Sequence, residues 1–210
     1  MKNLLLSSFI VLFLYGCSLG HYGKLKSTLK PESVALHSLF GENFNSFLFK
    51  TNIRVYGKDF SGLLVTKQMQ PNDYRVIFTT ELGMKLFDFE FKDTSFTLHY
   101  CVPQFNRPAL LKTIQKDIEI LLMNETKNKT AEVFINPKDS AFVYKFKDSK
   151  LDNYYFLDKL SRQIYRIEHA KKNTKKITFD LNNYSDQFPS NIMIKHHDIK
   201  LKIELNLLKK

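Results

Sequence analysis

The stretch NDYRVIFTTELGMKLFDFEF, residues 72–91, decides the fold class of this chain. Its two halves, 74–80 and 86–91, carry apolar residues at alternate positions, which is typical of strands that bury one face. In the second half, phenylalanines lie on one face and Asp88 and Glu90 lie on the other. The pattern predicts an antiparallel hairpin whose turn falls between the two halves.

Strand patterns continue on both sides of this hairpin. The last of them, 199–207, is the longest, and its apolar residues alternate with lysine, glutamate and asparagine. Together these patterns predict one curved antiparallel sheet of about ten strands. The further predicted strands are 47–56, 60–68, 96–100, 131–135, 142–146, 154–157, 163–169, 177–181 and 199–207.

Two segments have helical rather than strand periodicity. Segment 107–123 has Pro108 near its start and repeats apolar residues once per helical turn, so it predicts the main helix of the fold. Segment 31–42 has near-helical spacing and predicts a shorter helix. Such helices can cover one face of the sheet. The apolar stripe of the main helix consists of Leu110, Ile114, Ile118 and Leu121.

The N-terminus predicts a bacterial lipoprotein. Lys2 precedes an apolar run over 4–14, which is shorter than the ~20 residues of a transmembrane helix and is typical of a secretion signal. The run ends in LYGC, where a cysteine follows a small residue, as in the lipobox of bacterial lipoproteins. We therefore expect residues 1–16 to be a signal peptide and Cys17 to be the lipid-attachment residue.

The lipobox divides the chain into three parts. Segment 17–30 contains scattered glycines, serines and lysines and is interpreted as the lipidated N-terminus and tether, which leaves 31–210 as one well-cored domain. Ser18 follows Cys17 in place of the aspartate that retains lipoproteins at the inner membrane of enteric bacteria. We therefore expect an outer-membrane, lipid-anchored protein that faces the periplasm.

The chain is basic, with a formal net charge of +11. Nucleic acid is a common partner of such a charge, but an exported lipoprotein meets little of it. Anionic lipid headgroups at a membrane surface, or an acidic protein partner, explain the excess better. The lysine pairs 171–172, 175–176 and 209–210 are equally compatible with an ordinary solvated surface. We expect no nucleic-acid partner and a monomeric protein.

Motifs that would indicate an enzyme do not occur in the sequence. His196 and His197 are adjacent, and neighbouring residues in a strand point to opposite faces, so they are poorly placed to bind one metal. Asp88 and Glu90 share a face but fit a half-exposed strand, and Cys101 fits a half-buried structural thiol. We expect no catalytic site, no metal and no cofactor, and therefore a protein that is not an enzyme.

Four parts of the chain together resemble one known family. Residues 72–83, followed by the alternating residues 86–91, look like the central hairpin of the LolB family of outer-membrane lipoprotein receptors, in the LolA/LolB-like lipoprotein-localisation superfamily. Residues 188–192 and 198–203 are similar to the closing strands of that family. The helix after Cys101 and the lipobox also fall at the family's positions.

This resemblance implies a fold and a function. The fold would be mainly β with α, a curved antiparallel sheet forming an unclosed β-barrel with a helical lid, with 31–210 as the lipid-binding domain. Its apolar cavity would accept acyl chains of lipoproteins, or a related lipid, from a periplasmic LolA-like carrier and deliver them to the outer membrane. The membrane-insertion loop would correspond to Leu82, Gly83 and Met84, unless Leu82 folds back onto the domain.

Alternation predicts which apolar side chains face the concave side of the sheet. If that side is empty, they line a cavity for acyl chains. If the 19 phenylalanines and 10 tyrosines of the chain fill it, the protein is instead a structural or partner-binding outer-membrane lipoprotein. The residues expected to face inward are Tyr74, Val76, Phe78, Phe87, Phe89, Phe91, Phe96, Leu98, Ile199, Leu201, Ile203 and Leu205.

Overall fold

The computed structural model of the chain describes residues 21–27, 36–41, 44–126, 129–148, 151–185 and 188–209. Within these ranges it contains a 13-stranded sheet, one α-helix and the short 3₁₀ helices His21–Lys24 and Asn124–Thr126. The expected signal peptide and Cys17 lie outside the described residues. No helix in the described ranges is long and apolar enough to cross a membrane.

The elements follow the predicted order along the chain. Helix α1 spans Pro108–Leu121, and Pro108 occupies its first turn, where a missing N–H costs no helical hydrogen bond. The strands are β1 (Lys26–Ser27), β2 (Ser46–Val55), β3 (Lys58–Gln70), β4 (Asp73–Thr79), β5 (Lys85–Lys92), β6 (Ser95–Cys101), β7 (Glu132–Ile135), β8 (Phe142–Phe146), β9 (Asp152–Leu157), β10 (Ile164–Lys171), β11 (Thr174–Ser185), β12 (Phe188–His196) and β13 (Leu201–Lys209).

The sheet is antiparallel throughout, and its strand order is β1-β7-β8-β9-β10-β11-β12-β13-β2-β3-β4-β5-β6. Strands β1 and β6 are its two edges, and they do not pair with each other. The sheet is therefore an unclosed barrel accompanied by a helix, which confirms the fold class predicted from the sequence. The described part has more strands than the ten or so that the alternating patterns predicted.

Antiparallel pairing places the turns alternately at the two ends of the sheet. The turns β2–β3, β4–β5, β10–β11 and β12–β13 lie at one end, which we call the Leu82 end because Leu82 lies in the β4–β5 turn. The turns β3–β4, β5–β6, β7–β8 and β9–β10 lie at the opposite end.

Helix α1 lies on the concave side of the sheet. Its predicted apolar stripe, from Leu110 to Leu121, is buried in one large core cluster together with inward-facing side chains of the strands. A second, smaller cluster lies on the other face of β8–β10, where Tyr22 packs with Tyr154 and Phe156. Both faces of this part of the sheet are therefore covered.

The N-terminal segment 21–27, expected to belong to the tether, instead packs on the sheet. The ring of Tyr22 stacks on that of Tyr154 with a centroid distance of 4.1 Å, and its hydroxyl donates to Glu168 at 2.7 Å. Strand β1 then pairs with β7. Burial of one aromatic ring and one paired hydroxyl offsets the cost of ordering this segment, so the packed domain begins before residue 31.

The short helix expected at 31–42 is not present in its described part. Residues 36–41 form a turn, in which the Gly41 N–H bonds to the Ser38 carbonyl at 3.1 Å and Gly41 has φ +80°. Leu39 and Phe40 are buried in the core, and the Leu39 N–H points to the sulfur of Met123 at 3.2 Å. This packing of consecutive apolar residues replaces the one-sided packing of an amphipathic helix.

Strand β12 was not predicted from periodicity. Its first half contains Pro189, which is buried, followed by Ser190 and Asn191, and proline is uncommon inside strands. The family resemblance did include residues 188–192 among the closing strands. In the structure β12 pairs with β11 and β13, so it continues the sheet between them.

Candidate functional site

Most residues expected to line an acyl-chain cavity form a packed core instead. Phe89 is 0% exposed, and its ring stacks on that of Phe87 at a centroid distance of 4.3 Å. In this structure the concave side is therefore largely filled, which corrects the expected cavity lining. The buried members of the set are Tyr74, Val76, Phe78, Phe87, Phe89, Phe91, Leu201, Ile203 and Leu205.

The filling comes from the segment that follows β6. Phe105, which precedes helix α1, is 0% exposed, and its ring lies 4.6 Å from that of Phe60 and 5.9 Å from that of Phe87. The apolar stripe of α1 then continues the same core. The helix therefore acts as a plug in the barrel rather than as a cover above an empty space.

The remaining three residues of the set are not fully buried. Phe96 and Ile199 are partly buried against the core, whereas Leu98 is 38% exposed. Leu98, which was expected to face inward, is therefore only partly enclosed in this structure. Its strand, β6, is an edge strand, and the register shift against β5 next to Phe89 loosens its alternation.

Open volume remains beside the N-terminal half of α1, in a groove that we call the lid groove. It has a volume of about 880 Å³ and lies between α1 on one side and β10, β11, β12 and the β12–β13 turn on the other. Such a volume is typical of small-molecule and lipid pockets. Its apolar lining includes Leu111, Leu151, Ile177 and Ile199. The lid groove is therefore the place in the described fold where an apolar chain could lie beneath the helix.

A polar pair lies at the base of the lid groove. Nε2 of His196 is 2.9 Å from Oδ2 of Asp117, and both side chains are buried. Oδ1 of Asp117 has no hydrogen-bond partner in the described structure. Burial raises the pKa of Asp117, and the hydrogen bond from His196 offsets only part of this effect. This pair ties α1 to β12 through one polar contact.

A second polar contact borders the groove from β10. Nδ1 of His169 lies 2.5 Å from the side-chain oxygen of Asn153, and both residues are buried. The rim carries balanced charge, because Lys116 pairs with Asp148 at 3.5 Å and Lys176 pairs with Asp198 at 3.3 Å. The lid groove therefore offers an apolar surface with polar edges and no strong preference for one sign of ligand charge.

Another cavity, of about 700 Å³, lies near the C-terminal end of α1. Its lining includes Leu36, Tyr74, Met123 and Phe146, so it borders the turn between β3 and β4 at the opposite end of the sheet. The two open volumes thus lie at the two ends of the helix, with the filled core between them.

The turn between β4 and β5 projects two apolar side chains into solvent. Leu82 is 98% exposed and Met84 is 62% exposed. The turn closes through hydrogen bonds from the Thr80 N–H to the Met84 carbonyl, 2.8 Å, and from the Gly83 N–H to the Thr80 carbonyl, 2.9 Å. Gly83 has φ +83°, which glycine adopts without strain. Leu82 therefore does not fold back onto the domain, and its role in insertion stays a prediction.

The paired carboxylates on β5 have structural partners. Arg75 donates to Asp88 at 2.5 Å and to Glu90 at 3.0 Å, and Lys85 donates to Asp88 at 2.6 Å. Burial raises the pKa of Asp88, but the hydrogen bonds from Arg75 and Lys85 outweigh it and lower the pKa overall. These side chains form an ion-pair network on the face of the hairpin opposite the core, in which Asp88 is 2% exposed and Arg75 and Glu90 are partly exposed.

The other titratable residues considered as site candidates, Cys101 and His197, also fit a structural role. Burial raises the pKa of the Cys101 thiol to about 11, so the thiol stays protonated at neutral pH. His197 lies on the face opposite to His196, and its Nε2 is 2.8 Å from the Thr178 hydroxyl. Within the described ranges, no group of three or more His, Cys, Asp or Glu side chains could hold a metal ion.

The Asp117–His196 pair is the feature of this site that the sequence analysis missed. Asp117 directly precedes Ile118 of the apolar stripe, and a charged residue beside a buried stripe was the only available signal. Its partner is 79 positions away in the chain, so their contact depends on the tertiary fold.

Comparison with known proteins supports the fold. No family model and no curated protein matches the sequence. Among solved structures, a LolA superfamily protein from Nitrosomonas europaea is similar with a TM-score of 0.54 at 11% identity, covering 83% of this chain and 93% of that one. A domain described as an outer membrane lipoprotein-sorting protein, from Vibrio parahaemolyticus, has a TM-score of 0.50 at 11% identity, covering 80% and 85%. The chain therefore shares the fold of these two structures.

The buried Asp117 carboxyl predicts a pH-dependent stability. A carboxyl whose pKa is raised in the folded state contributes stability that is complete below its ordinary pKa of 3.8 and is lost as the pH rises through the folded-state pKa. We therefore expect Asp117→Asn to become more stable relative to the wild type as the pH rises from about 4 towards neutrality. Urea unfolding at a series of pH values measures this difference, and parallel pH profiles of the two proteins would contradict it.

Proposed function

We propose that this chain is a lipid-anchored protein that accepts acyl chains of lipoproteins, or of a related lipid, and delivers them to the outer membrane. The observation that carries the proposal is the lid groove, an apolar space of about 880 Å³ beside the helix that plugs the barrel. The donor would be a periplasmic LolA-like carrier. No nucleotide would be used, because acyl chains partition into apolar surfaces without chemical energy.

Entry of an acyl chain would begin at the apolar side of the groove. Leu111 lies on α1, and Ile177 lies on the sheet that faces it, so a chain lying between them would replace helix–sheet contacts with similar contacts to lipid. Asp117 and His196 provide a polar contact between the same two elements. A longer chain would have to displace α1 from the core, since the space beyond the groove is filled.

Anchoring at Cys17 would keep the protein at the surface that receives the ligand. Each buried methylene group contributes ~0.8 kcal/mol, so two or three acyl chains hold a protein on a bilayer almost permanently. Leu82 and Met84, exposed in the β4–β5 turn, would then insert into that surface during delivery.

The filled concave side favours a second candidate function. Most of the expected cavity residues pack against one another and against α1. A protein with a solid core and exposed turns would serve as a structural or partner-binding lipoprotein of the outer membrane. The two candidates differ in whether an acylated molecule binds at all.

Native mass spectrometry separates the two candidates. The chain from Ser18 onward, which contains every described element, is mixed with a triacylated lipopeptide and separately with the same peptide lacking its acyl groups. A one-to-one complex with the acylated peptide alone supports the acceptor function. A well-folded protein that forms no complex with either peptide would leave the structural or partner-binding function.

Filling the lid groove should reduce binding of the acylated peptide. Ala109 is exposed and borders the groove, so Ala109→Trp places a large ring in the ligand's space. We expect about a tenfold weaker complex, since loss of about 1.4 kcal/mol of apolar contact has this effect. Thr97→Trp, at an exposed position of β6, is the matched control and should bind as the wild type does. If Ala109→Trp and Thr97→Trp both bind the acylated peptide as tightly as the wild type does, the ligand lies elsewhere.

A further inference from the structure

We propose that the Leu82 end of the sheet is a docking surface for an anionic lipid bilayer. This surface consists of the turns 55–58, 79–85, 171–174 and 196–201, which antiparallel pairing places at one end of the strands. Part of the large positive charge of the chain lies on this surface.

Charge differs between the two ends of the sheet. The four turns of the docking surface contain five lysines and two acidic residues. The corresponding turns at the opposite end, 70–73, 92–95, 135–142 and 157–164, contain four basic and four acidic residues. The excess of positive charge is therefore confined to the Leu82 end in this comparison.

The acidic residues of the docking surface are already paired. Glu81 forms an ion pair with Lys50 at 3.5 Å, and Asp198 forms one with Lys176 at 3.3 Å. Lys171, Lys172 and Lys200 are exposed, and no ion pair is formed by them within the described residues. Their charges are free to interact with anionic headgroups.

Apolar side chains project from the same surface. Tyr56 is 55% exposed, and it accompanies Leu82 and Met84 at this end. Cationic and apolar side chains on one surface are typical of proteins that bind the membrane interface, because the former attract headgroups and the latter enter the acyl region. An acidic protein partner would need the lysines but would not account for a leucine that is almost fully exposed.

The start of the described chain lies beside the same surface. Tyr22 and Leu25 border a small cavity together with Lys172 and Asn173 of the β10–β11 turn. Cys17 precedes His21 by four residues, which span at most about 14 Å. A lipid on Cys17 would therefore hold the bilayer close to this turn. This step rests on the proposed lipid anchor, whereas the charge comparison does not.

Vesicle flotation tests the docking surface without the anchor. The chain from Ser18 onward is mixed at low salt with phosphatidylcholine vesicles, with and without phosphatidylglycerol. We expect binding only to the anionic vesicles. Each lysine near such a surface contributes about a fivefold gain, so Lys171→Gln with Lys172→Gln should weaken binding about 25-fold. The matched control pair, Lys138→Gln with Lys159→Gln at the opposite end, should bind as the wild type does.

Three results would overturn this proposal. The first is equal binding to both kinds of vesicle, and the second is equal weakening of binding by the two pairs of substitutions. The third is no binding to either kind of vesicle, which would leave an acidic protein as the partner of the surface. Lipopeptide binding in the lid groove is measured on the same samples. Loss of that binding with intact vesicle docking would refute the proposed acceptor function and leave the docking surface in place.

Discussion

Leu82→Glu should slow the delivery of an acylated ligand to vesicles about a hundredfold while leaving ligand binding unchanged. The wild-type side chain is 98% exposed at the tip of the β4–β5 turn, so the substitution removes no packing within the fold. Entry of leucine into lipid gains about 2 kcal/mol, and a carboxylate in its place adds a cost of up to about 1 kcal/mol near the interface. Transfer of a fluorescent lipopeptide from the protein to vesicles measures the rate.

Leu160 is the matched control for this substitution. It is 91% exposed, but it lies in the β9–β10 turn at the opposite end of the sheet. Leu160→Glu therefore introduces the same charge at an equally exposed leucine that should not face the bilayer. If both variants deliver the lipopeptide at the wild-type rate, Leu82 has no role in insertion. If both are slow, the effect comes from added negative charge rather than from position.

The hairpin and the helix could be predicted closely from the sequence. Strands expected at 74–80 and 86–91 occupy Asp73–Thr79 and Lys85–Lys92, and the helix expected at 107–123 occupies Pro108–Leu121. In each case the spacing of apolar residues reports directly which face is buried. The same reasoning failed for the N-terminal segment, where Tyr22 packs on the sheet and β1 pairs with β7 among residues that are typical of a linker.

The state of the concave side could not be predicted from alternation. Alternation identifies the residues that face inward, but whether they meet a ligand or each other depends on what fills the space. Here Phe105 and α1 fill it, and their positions follow from the path of the chain after β6. The open volume therefore lies beside the helix, in a groove whose polar base joins Asp117 with the distant His196.

Phe89→Ala provides a direct measure of how completely this interior is filled. The Phe89 ring contacts those of Phe87, Phe91 and Phe96 at centroid distances of 4.3, 6.4 and 5.3 Å. Truncation in a close-packed core leaves a cavity and should lower the free energy of unfolding by about 3–5 kcal/mol. Leu98→Ala, on the neighbouring edge strand, should cost less than about 1 kcal/mol because Leu98 is partly exposed. Urea unfolding measures both values.

If Phe89 lined an empty acyl-chain cavity, fewer contacts would be lost and the two substitutions would have similar effects. A large difference would instead mean that acyl chains, if they enter beyond the lid groove, must displace α1 from the core.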